Sequence, residues 1–220
     1  MNASWIYPVV RASRTRPLRI VEVGTRLRGI AHYFAIHPHL LCVVDAVDVH
    51  DNRLVLDGYR YQEVLGTKLS PGNDTFDVVI INHVIEHLGD ERAQRHHLSE
   101  LQRVLRNDGI GYIAVPKRWM LLEPYFRLAF LSWLPRSWRT SYLRLMRKGE
   151  RYDCESLQLS QCEEFLAKAG WRYKNISIEA MRITTNIESP GAIILNILRN
   201  PSDQVWMPLR SIIPTLIYRF

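Results

Sequence analysis

Four apolar runs, separated by segments of helical periodicity, constrain this chain more than any other feature. Continuous apolar runs of this length are typical of strands buried on both faces of a parallel sheet. Between the third and fourth runs, residues 91–106 carry apolar side chains at the spacing of an amphipathic helix. This alternation predicts a doubly wound α/β fold. The runs are LRIVEV (18–23), LLCVVDAV (40–47), FDVVIINHV (76–84) and IGYIAVP (110–116).

Weaker patterns predict further elements around these strands. They are a short helix over 29–38, a strand at 60–65, a helix from about Ser160 that stops at Gly170, a strand over 171–183, a helix that starts at Ser189-Pro190 and a terminal strand at 215–220. A chain of 220 residues is long enough to bury a sizeable core. We therefore expect one domain over 1–220.

The net charge of +7 is concentrated in one segment. Residues 117–151 contain nine basic residues against two acidic ones, together with seven aromatic residues, and the rest of the chain is neutral. Nucleic-acid binding also uses arginine and aromatic residues, but here the aromatic residues alternate with aliphatic ones at helical spacing, broken by Pro124 and Pro135. This pattern favours short amphipathic segments that form a helical cap at about 117–151 or contact an anionic membrane surface, and it disfavours nucleic acid.

Other features concern the compartment. No uncharged apolar run approaches the ~18–20 residues that span a membrane, and the N-terminal sequence lacks the pattern of a signal peptide. The three cysteines, Cys42, Cys154 and Cys162, are an odd number without the spacing of metal ligands. We expect buried thiols, no metal site and a cytoplasmic protein that makes at most peripheral contact with a membrane.

The turn after the first strand, VEVGTRLRG (21–29), suits two cofactor classes. In a dinucleotide-binding loop, Gly24 and Gly29 would be the first and third glycines, but Arg26 then obstructs the backbone approach to the pyrophosphate. In a loop that binds S-adenosylmethionine, the acid two residues before Gly24, Glu22, suits the ammonium group of the cofactor. The second class fits better, and a nicotinamide-dependent enzyme stays open as an alternative.

Four blocks of the sequence, in order, carry a family resemblance. They are VEVGTRLRG, VVDAVD, NDTFDVVIINHVIEHLGD (73–90) and ELQRVLRNDGIGYIAVP (100–116), of which the last two are the more specific. From roughly Leu18 to Phe220 the chain resembles class I S-adenosylmethionine-dependent methyltransferases of the type 11 kind. The resemblance implies a Rossmann-like, mostly parallel sheet of about seven strands with an antiparallel last strand, and a helical insert after strand five that recognises the acceptor. It also implies S-adenosylmethionine as the cofactor.

The resemblance assigns the first loop to the cofactor through Glu22, Gly24 and Gly29. We expect Gly29 to make the close contact between helix and strand. Arg26 and Arg28 stand where the family has glycine. Either the loop bulges and both side chains point away from the cofactor, or Arg26 binds the methionine carboxylate.

The ribose and the adenine involve the second and third strands. Asp45 falls where the ribose-binding acid of the family usually lies, and Asp48 takes that role if the strand ends later. The acid that often binds the adenine amino group is missing, since Leu65 stands at its position. Backbone amides of Gly66 and Thr67 are the substitute that we expect.

The end of the fourth strand supplies the candidates nearest the chemistry. Asn82 and His83 lie at the edge of the sheet where ligands of such folds bind. His83 is the candidate catalytic residue, although a histidine that only orders the turn is an equally simple interpretation. For Glu86 and His87, packing and capping compete with a catalytic role.

The function expected from the resemblance is transfer of the methyl group of S-adenosylmethionine to a small molecule, with catalysis resting mainly on positioning. The basic aromatic segment favours an acceptor that is apolar or lipid-like. The alternative is a non-catalytic protein with the same fold that binds its partner through this segment.

Overall fold

A seven-stranded sheet forms the centre of the protein, which the computed structural model describes over residues 16–25, 29–123, 125–188 and 215–220. The strand order is β3-β2-β1-β4-β5-β9-β8. The strands are β1 (Leu18–Val23), β2 (Cys42–Asp48), β3 (Arg60–Glu63), β4 (Phe76–Asn82), β5 (Leu105–Pro116), β8 (Lys174–Asn175) and β9 (Thr215–Arg219).

The direction of the strands follows the sequence prediction. β1 pairs in parallel with β2 and with β4, β2 with β3, and β4 with β5. β9 is antiparallel to β5 and to β8. The order of the strands reverses between β1 and β4, and ligands of open α/β sheets bind at the carboxyl ends of the strands beside such a point. A mostly parallel, doubly wound sheet with an antiparallel last strand is thereby confirmed.

Five helices lie among the described residues. They are α1 (Ile30–Ala35), α2 (Glu91–Val104), α3 (Arg136–Leu145), α4 (Leu159–Lys168) and α5 (Ser177–Glu188). The carboxylate of Asp90 caps α2, because it accepts a hydrogen bond from Ala93 N at 2.9 Å. α1 packs with one hydrophobic cluster of the sheet, while α2 and α4 contribute to the other. The sheet is therefore covered on both faces.

The strand predicted over 171–183 is wrong. Only Lys174–Asn175 form a strand, and α5 begins at Ser177. The Asn175 side chain accepts a hydrogen bond from Ser177 N at 3.1 Å, and Ala180 N donates to Ile176 O at 2.8 Å. The hydrogen bond to the Asn175 side chain stabilises the first turn of a helix, so the segment is helical although its alternating pattern is typical of a strand. The helix predicted from Ser189 lies outside the described residues.

The segment after β5 contains the helix that the sequence predicts, and also a small sheet that it does not. β6 (Leu122–Glu123) pairs antiparallel with β7 (Leu128–Ala129), followed by a 3₁₀ turn over Leu131–Trp133 and then by α3. We call residues 117–151 the cap. Across the described ranges, none of the helices has the length and apolar character needed to cross a bilayer.

One cation of the cap is structural rather than exposed. Arg139 is 4% exposed, and its Nε donates to Leu134 O at 2.8 Å. Its guanidinium also lies 3.9 Å from Glu155 and packs over the ring of Tyr152. The side chain therefore ties α3 to Leu134 and to residues 152–155, which follow the cap, and contributes little to the charge of the surface.

Candidate functional site

A cavity of about 110 Å³ opens at the carboxyl ends of β1, β2 and β4. Its polar lining comes from three histidines and one carboxylate, and the rest is glycine, valine and leucine. The lining residues that matter below are Gly24, Asp48, Gly66, His83, His87 and His97. The cavity lies where the strand order reverses, which is the expected position of a ligand in this fold.

Gly24 begins the loop after β1 in a conformation that requires glycine. Its φ is +78°, and a Cβ placed there would lie 2.2 Å from Cγ2 of Val84. Its N–H donates to Val47 O at 2.8 Å, which keeps the loop close to the end of β2. The glycine thus lets the loop pack directly against the turn after β4.

Glu22 holds the other end of this loop. The residue is 1% exposed, and its Oε2 accepts a hydrogen bond from Ala31 N at 2.8 Å, in the first turn of α1. Its predicted contact with the cofactor ammonium stays a prediction. The close contact expected at Gly29 is wrong, since within the described ranges no heavy atom lies within 4 Å of a Cβ built there. Glycine is favoured at this position by its φ of +61°. Arg26 and Arg28 lie outside the described residues.

The two aspartates of β2 occupy different environments. Asp48 is the last residue of the strand and lines the cavity. Asp45 lies in the middle of the strand, where Arg60 Nε and Nη2 donate to its two carboxylate oxygens at 2.7 and 3.0 Å. The strand ends later than the predicted 40–47, so the geometry favours Asp48, the alternative ribose ligand, over Asp45.

The third strand leads into a turn that α2 holds in place. Gly66 lines the cavity, whereas the Thr67 side chain hydrogen-bonds with Nδ1 of His96 at 2.6 Å. The Thr67 carbonyl lies 3.2 Å from Nδ1 of His97. Leu65 is 93% exposed and does not line the cavity.

Sequence reasoning missed His97. This histidine lies on the buried face of α2, is 2% exposed and lines the cavity. Its Nδ1 lies against the Thr67 carbonyl, and its Nε2 has no hydrogen-bond partner among the residues that the structure describes. A polar residue on the apolar face of an amphipathic helix is the sequence signal that could have identified it.

Burial of His97 predicts a loss of stability in mild acid. Burial lowers the pKa of His97 from 6.5 to about 4. The folded state thus holds the neutral ring while the unfolded chain takes up a proton, so the stabilisation is complete above pH 6.5 and is lost as the pH falls toward 4. We expect about 2 kcal/mol of unfolding free energy to disappear between pH 7 and pH 5.

Urea unfolding of wild type and His97→Asn at both pH values measures this effect. Asparagine retains a donor for the Thr67 carbonyl and does not titrate, so its pH dependence should be smaller by that amount. His50→Gln changes an exposed histidine and serves as the control. Equal pH dependence of all three proteins would contradict the assignment.

The turn after β4 gathers polar groups beside the cavity. His83 has a φ of +60°, unusual for a residue with a side chain, and its N–H donates to Ala114 O at 2.9 Å. Its Nδ1 lies 3.5 Å from Oε1 of Glu86, which is fully buried and also accepts a hydrogen bond from the Tyr125 hydroxyl at 2.8 Å. Asn82, by contrast, is 9% exposed and does not line the cavity.

A second buried carboxylate lies near this turn, within the cap. Glu123 is 1% exposed, and its carboxylate accepts a hydrogen bond from Phe126 N at 2.7 Å. Burial raises the pKa of Glu123, and the nearby Glu86 carboxylate adds to that rise. The cap thus contributes a carboxylate and the Tyr125 hydroxyl to the polar region around His83.

Comparisons with known proteins agree with this geometry. Residues 27–113 match the sequence profile of the family described as methyltransferase domain. The fold is similar to that of the YcgJ protein from Bacillus subtilis, at 14% identity and a TM-score of 0.53, covering 99% of this chain and 97% of that chain. No curated protein matches the sequence.

The matched segment spans β2, β3, β4 and most of β5, and it begins after β1 and Gly24. Over this segment the chain is similar to a methyltransferase domain, and its fold is that of solved methyltransferases. Two further solved methyltransferase structures are similar to it. One, from Methanosarcina mazei, is 13% identical, with a TM-score of 0.51, 77% of this chain covered and 88% of that chain. The other, the phosphoethanolamine N-methyltransferase 2 of Haemonchus contortus, is 16% identical, with a TM-score of 0.52, 98% of this chain covered and 51% of that chain.

The residues around the cavity fit the cofactor that similarity to a methyltransferase domain implies, S-adenosylmethionine. Gly24 lines the cavity, and Asp48 offers a carboxylate at the end of β2. Next to Gly24, the buried hydroxyl of Thr25 has no hydrogen-bond partner within the described ranges. A buried hydroxyl without a partner is costly unless a ligand or water completes it.

Proposed function

We propose that the protein is an S-adenosylmethionine-dependent methyltransferase that acts on an apolar or lipid-like acceptor. The observation that carries the proposal is the cavity at the carboxyl ends of β1, β2 and β4, with Gly24 on one side and Asp48 on the other. A mechanism based on positioning suits this site, because the bound cofactor supplies a methyl group already activated by its sulfonium.

Each side of the cavity has a role in this proposal. Asp48 accepts hydrogen bonds from the ribose hydroxyls, and the backbone at Gly24 and Thr25 faces the methionine end. Gly66 and the apolar side chains beside it contact the adenine. Glu22 keeps the loop in place through its hydrogen bond to Ala31 N.

His83 is the candidate for contact with the acceptor. Its ring lines the cavity, and its Nδ1 lies 3.5 Å from Oε1 of the buried Glu86 carboxylate. Where the acceptor is a hydroxyl, a base that removes its proton accelerates methyl transfer. The left-handed backbone at His83 agrees with a functional role, since such strained conformations cluster at active sites.

Calorimetry with S-adenosylhomocysteine tests the cofactor assignment. We expect Asp48→Ala to weaken binding by about 1–3 kcal/mol, because a carboxylate that holds two hydroxyls is lost. Asp45→Ala removes a carboxylate from the same strand and should leave the affinity unchanged.

Two results would overturn this assignment. Absence of S-adenosylhomocysteine binding to the wild type at millimolar concentration would reject the cofactor. An NADPH-induced rise in the thermal midpoint, with none from S-adenosylhomocysteine, would favour a nicotinamide-dependent enzyme.

An exposed aromatic patch on the cap supports the apolar acceptor. It is formed by Trp119, Phe130 and Trp133, with 43%, 51% and 42% of each residue exposed. The rings of Trp119 and Phe130 both pack edge-on against Trp133, at centroid distances of 5.7 and 5.3 Å. Large exposed apolar groups in one cluster mark an interaction site more often than scattered ones do.

The backbone of the cap holds this patch in a fixed position. Phe130 has a left-handed φ of +58°, and its N–H donates to Leu121 O at 2.8 Å. The indole N–H of Trp133 donates to Met120 O at 2.8 Å. The rings are thus anchored by polar contacts at their base while their faces stay exposed, as in residues that enter a membrane interface.

Helix α3 extends the apolar surface and adds positive charge. Trp138 and Leu145 are 66% and 78% exposed on one side of the helix, and the Tyr142 hydroxyl between them lies 3.3 Å from Ala129 O, beside Phe130. Arg147, Lys148 and Arg151 follow the helix and are exposed. Apolar burial together with cations is the combination that binds anionic lipid surfaces, so we propose that the cap contacts such a surface.

Sedimentation with vesicles tests the surface contact. We expect the wild type to bind phosphatidylserine-containing vesicles at low salt, and more weakly at high salt because the charges are screened. Arg147→Glu/Lys148→Glu/Arg151→Glu should weaken this binding by at least about tenfold, since each basic residue near such a surface contributes about 1 kcal/mol.

A matched control changes the same charge elsewhere. Lys68→Glu/Arg92→Glu/Arg172→Glu alters three exposed residues outside the cap and should retain more vesicle binding than the cap variant. An equal loss of vesicle binding in both variants would show that only the net charge of the protein matters, and it would reject the cap as the contact surface. Vesicle binding without any binding of S-adenosylhomocysteine would instead favour the non-catalytic alternative.

A further inference from the structure

Three side chains with metal-binding chemistry converge beside the cavity. The Sγ of Cys154 lies 3.8 Å from Nδ1 of His87 and 3.8 Å from Oδ1 of Asp153. Nδ1 of His87 lies 3.9 Å from the same oxygen of Asp153. The sulfur, nitrogen and oxygen atoms thus form a nearly equilateral triangle, although His87 is 67 positions from Cys154 in the chain.

The size of this triangle is close to that of one face of a tetrahedral metal site. Zinc bonds of about 2.0 Å to nitrogen or oxygen and about 2.3 Å to sulfur place neighbouring ligands roughly 3.3–3.6 Å apart. The observed separations exceed that range by only a few tenths of an ångström. Side-chain rotation of Asp153, which is 63% exposed, is sufficient to close such a difference.

Backbone contacts hold the two parts of the cluster together. Glu155 N donates to Glu86 O at 2.7 Å, which places residues 153–155 beside the turn after β4. The side-chain amide of Gln94 donates to Ile85 O and to Glu155 O, both at 3.2 Å. The backbone positions of the donor residues are therefore fixed by the fold.

A buried carboxylate next to His87 adds an independent observation. Oε1 of Glu86 lies 4.0 Å from Nε2 of His87. Oε2 of the same carboxylate is buried and has no hydrogen-bond partner in the ranges of the chain that the structure describes. Metal-bound histidines commonly direct their other ring nitrogen toward a carboxylate, which fixes the tautomer and makes the ring a better ligand.

We propose that His87 Nδ1, the Asp153 carboxylate and the Cys154 thiolate bind a divalent zinc-type cation with one coordination position open. Thiolate and imidazole ligands select zinc over magnesium or calcium, and three protein ligands with an open position are typical of catalytic zinc sites. His87 also lines the cofactor cavity, so the ion lies next to the acceptor side of the proposed reaction. Spacing in the sequence gave no sign of this site, because its donors come from two distant segments.

Cobalt titration of the full chain tests the site without reference to activity. After treatment with EDTA and desalting, Co²⁺ added to the wild type should give the near-ultraviolet charge-transfer band of a cobalt–thiolate bond, and Zn²⁺ should remove it. Cys154→Ser should lose the band, whereas Cys42→Ser, which changes a half-buried cysteine on β2, should retain it.

A second variant separates binding from folding. Asp153→Asn changes an exposed side chain, so we expect the metal-free thermal midpoint to stay the same while the affinity for Zn²⁺ falls at least about tenfold. Absence of the cobalt band in the wild type, its persistence in Cys154→Ser, or unchanged zinc affinity in Asp153→Asn would each overturn the proposal. None of these readouts requires cofactor binding, so they leave the proposed methyl transfer as a separate question.

Discussion

Gly24→Ala is expected to abolish measurable binding of S-adenosylhomocysteine and to lower the unfolding free energy by about 2–5 kcal/mol. Two costs combine. The left-handed φ of +78° strains any residue with a Cβ, by about 1–2 kcal/mol. The added methyl also meets Cγ2 of Val84 at 2.2 Å, and such overpacking costs about 1–3 kcal/mol. Relief of the clash displaces the loop that borders the cavity.

Two further variants separate these costs. Gly66→Ala introduces similar strain at a φ of +71°, but within the described residues a Cβ there meets no heavy atom within 4 Å. It should lose only the strain energy. Val84→Ala in the Gly24→Ala background removes the clashing methyl and should restore part of the stability. If Gly24→Ala and Gly66→Ala prove equally stable, steric contact with Val84 is not what requires glycine.

Asp77→Asn is expected to lower the unfolding free energy by about 2–4 kcal/mol without changing the affinity for S-adenosylhomocysteine. The Asp77 carboxylate is fully buried near the start of β4 and accepts two hydrogen bonds from Arg16, at 2.7 and 2.6 Å. It also accepts from Arg19 N at 2.9 Å and from Arg106 at 3.3 Å. Loss of a buried charge with several charged partners has a cost of this order.

The choice of asparagine and of a control sharpens this test. Asparagine has nearly the volume of aspartate, so no cavity forms and the change measures charge and hydrogen bonding. Asp51→Asn changes an exposed carboxylate that pairs with Arg53 at 2.7 Å, and it should lower the urea midpoint much less than Asp77→Asn does. A weaker affinity of Asp77→Asn for S-adenosylhomocysteine would show that the amino end of β4 influences the cavity at the opposite end.

The central sheet could be predicted because each of its main strands has a pattern that is visible within its own segment of the sequence. β1, β2, β4 and β5 are apolar runs, and strands buried on both faces have this pattern whatever surrounds them. Helix α5 could not be predicted, because its start depends on the hydrogen bond from Ser177 N to the Asn175 side chain. The alternating pattern of the sequence at this position predicts a strand instead. The β6–β7 pair is two residues long on each strand, too short for any periodicity.

The sequence predicted which strand ends form the candidate site, but not which side-chain contacts select its residues. The sequence placed an acid at the end of β2, but the choice between Asp45 and Asp48 depends on where the strand stops and on Arg60 of the neighbouring strand. His97 contributes to the cavity from α2, which carries no cofactor motif. Contacts between segments distant in the chain determine these features.

The exposed charge of the cap also depends on contacts that the sequence does not show. Lys117 and Arg139 are two of the nine cations in the cap, but they are 5% and 4% exposed. Burial lowers the pKa of Lys117. The charge that the cap presents to a surface is therefore smaller than its sequence suggests, and tests of membrane contact should change exposed residues such as Arg147.

The contact between Gly24 and Val84 couples the position of the residue after β1 to that of the turn after β4. With Val84 packed directly against Gly24, residue 24 has no free space in the direction of the turn after β4. Gly24 can move toward that turn only if the turn moves with it. That turn holds His83 and His87, so a displacement of Gly24 toward it shifts these histidines as well. In the proposed methyltransferase, cofactor exchange that moves Gly24 would therefore also change the shape of the acceptor pocket.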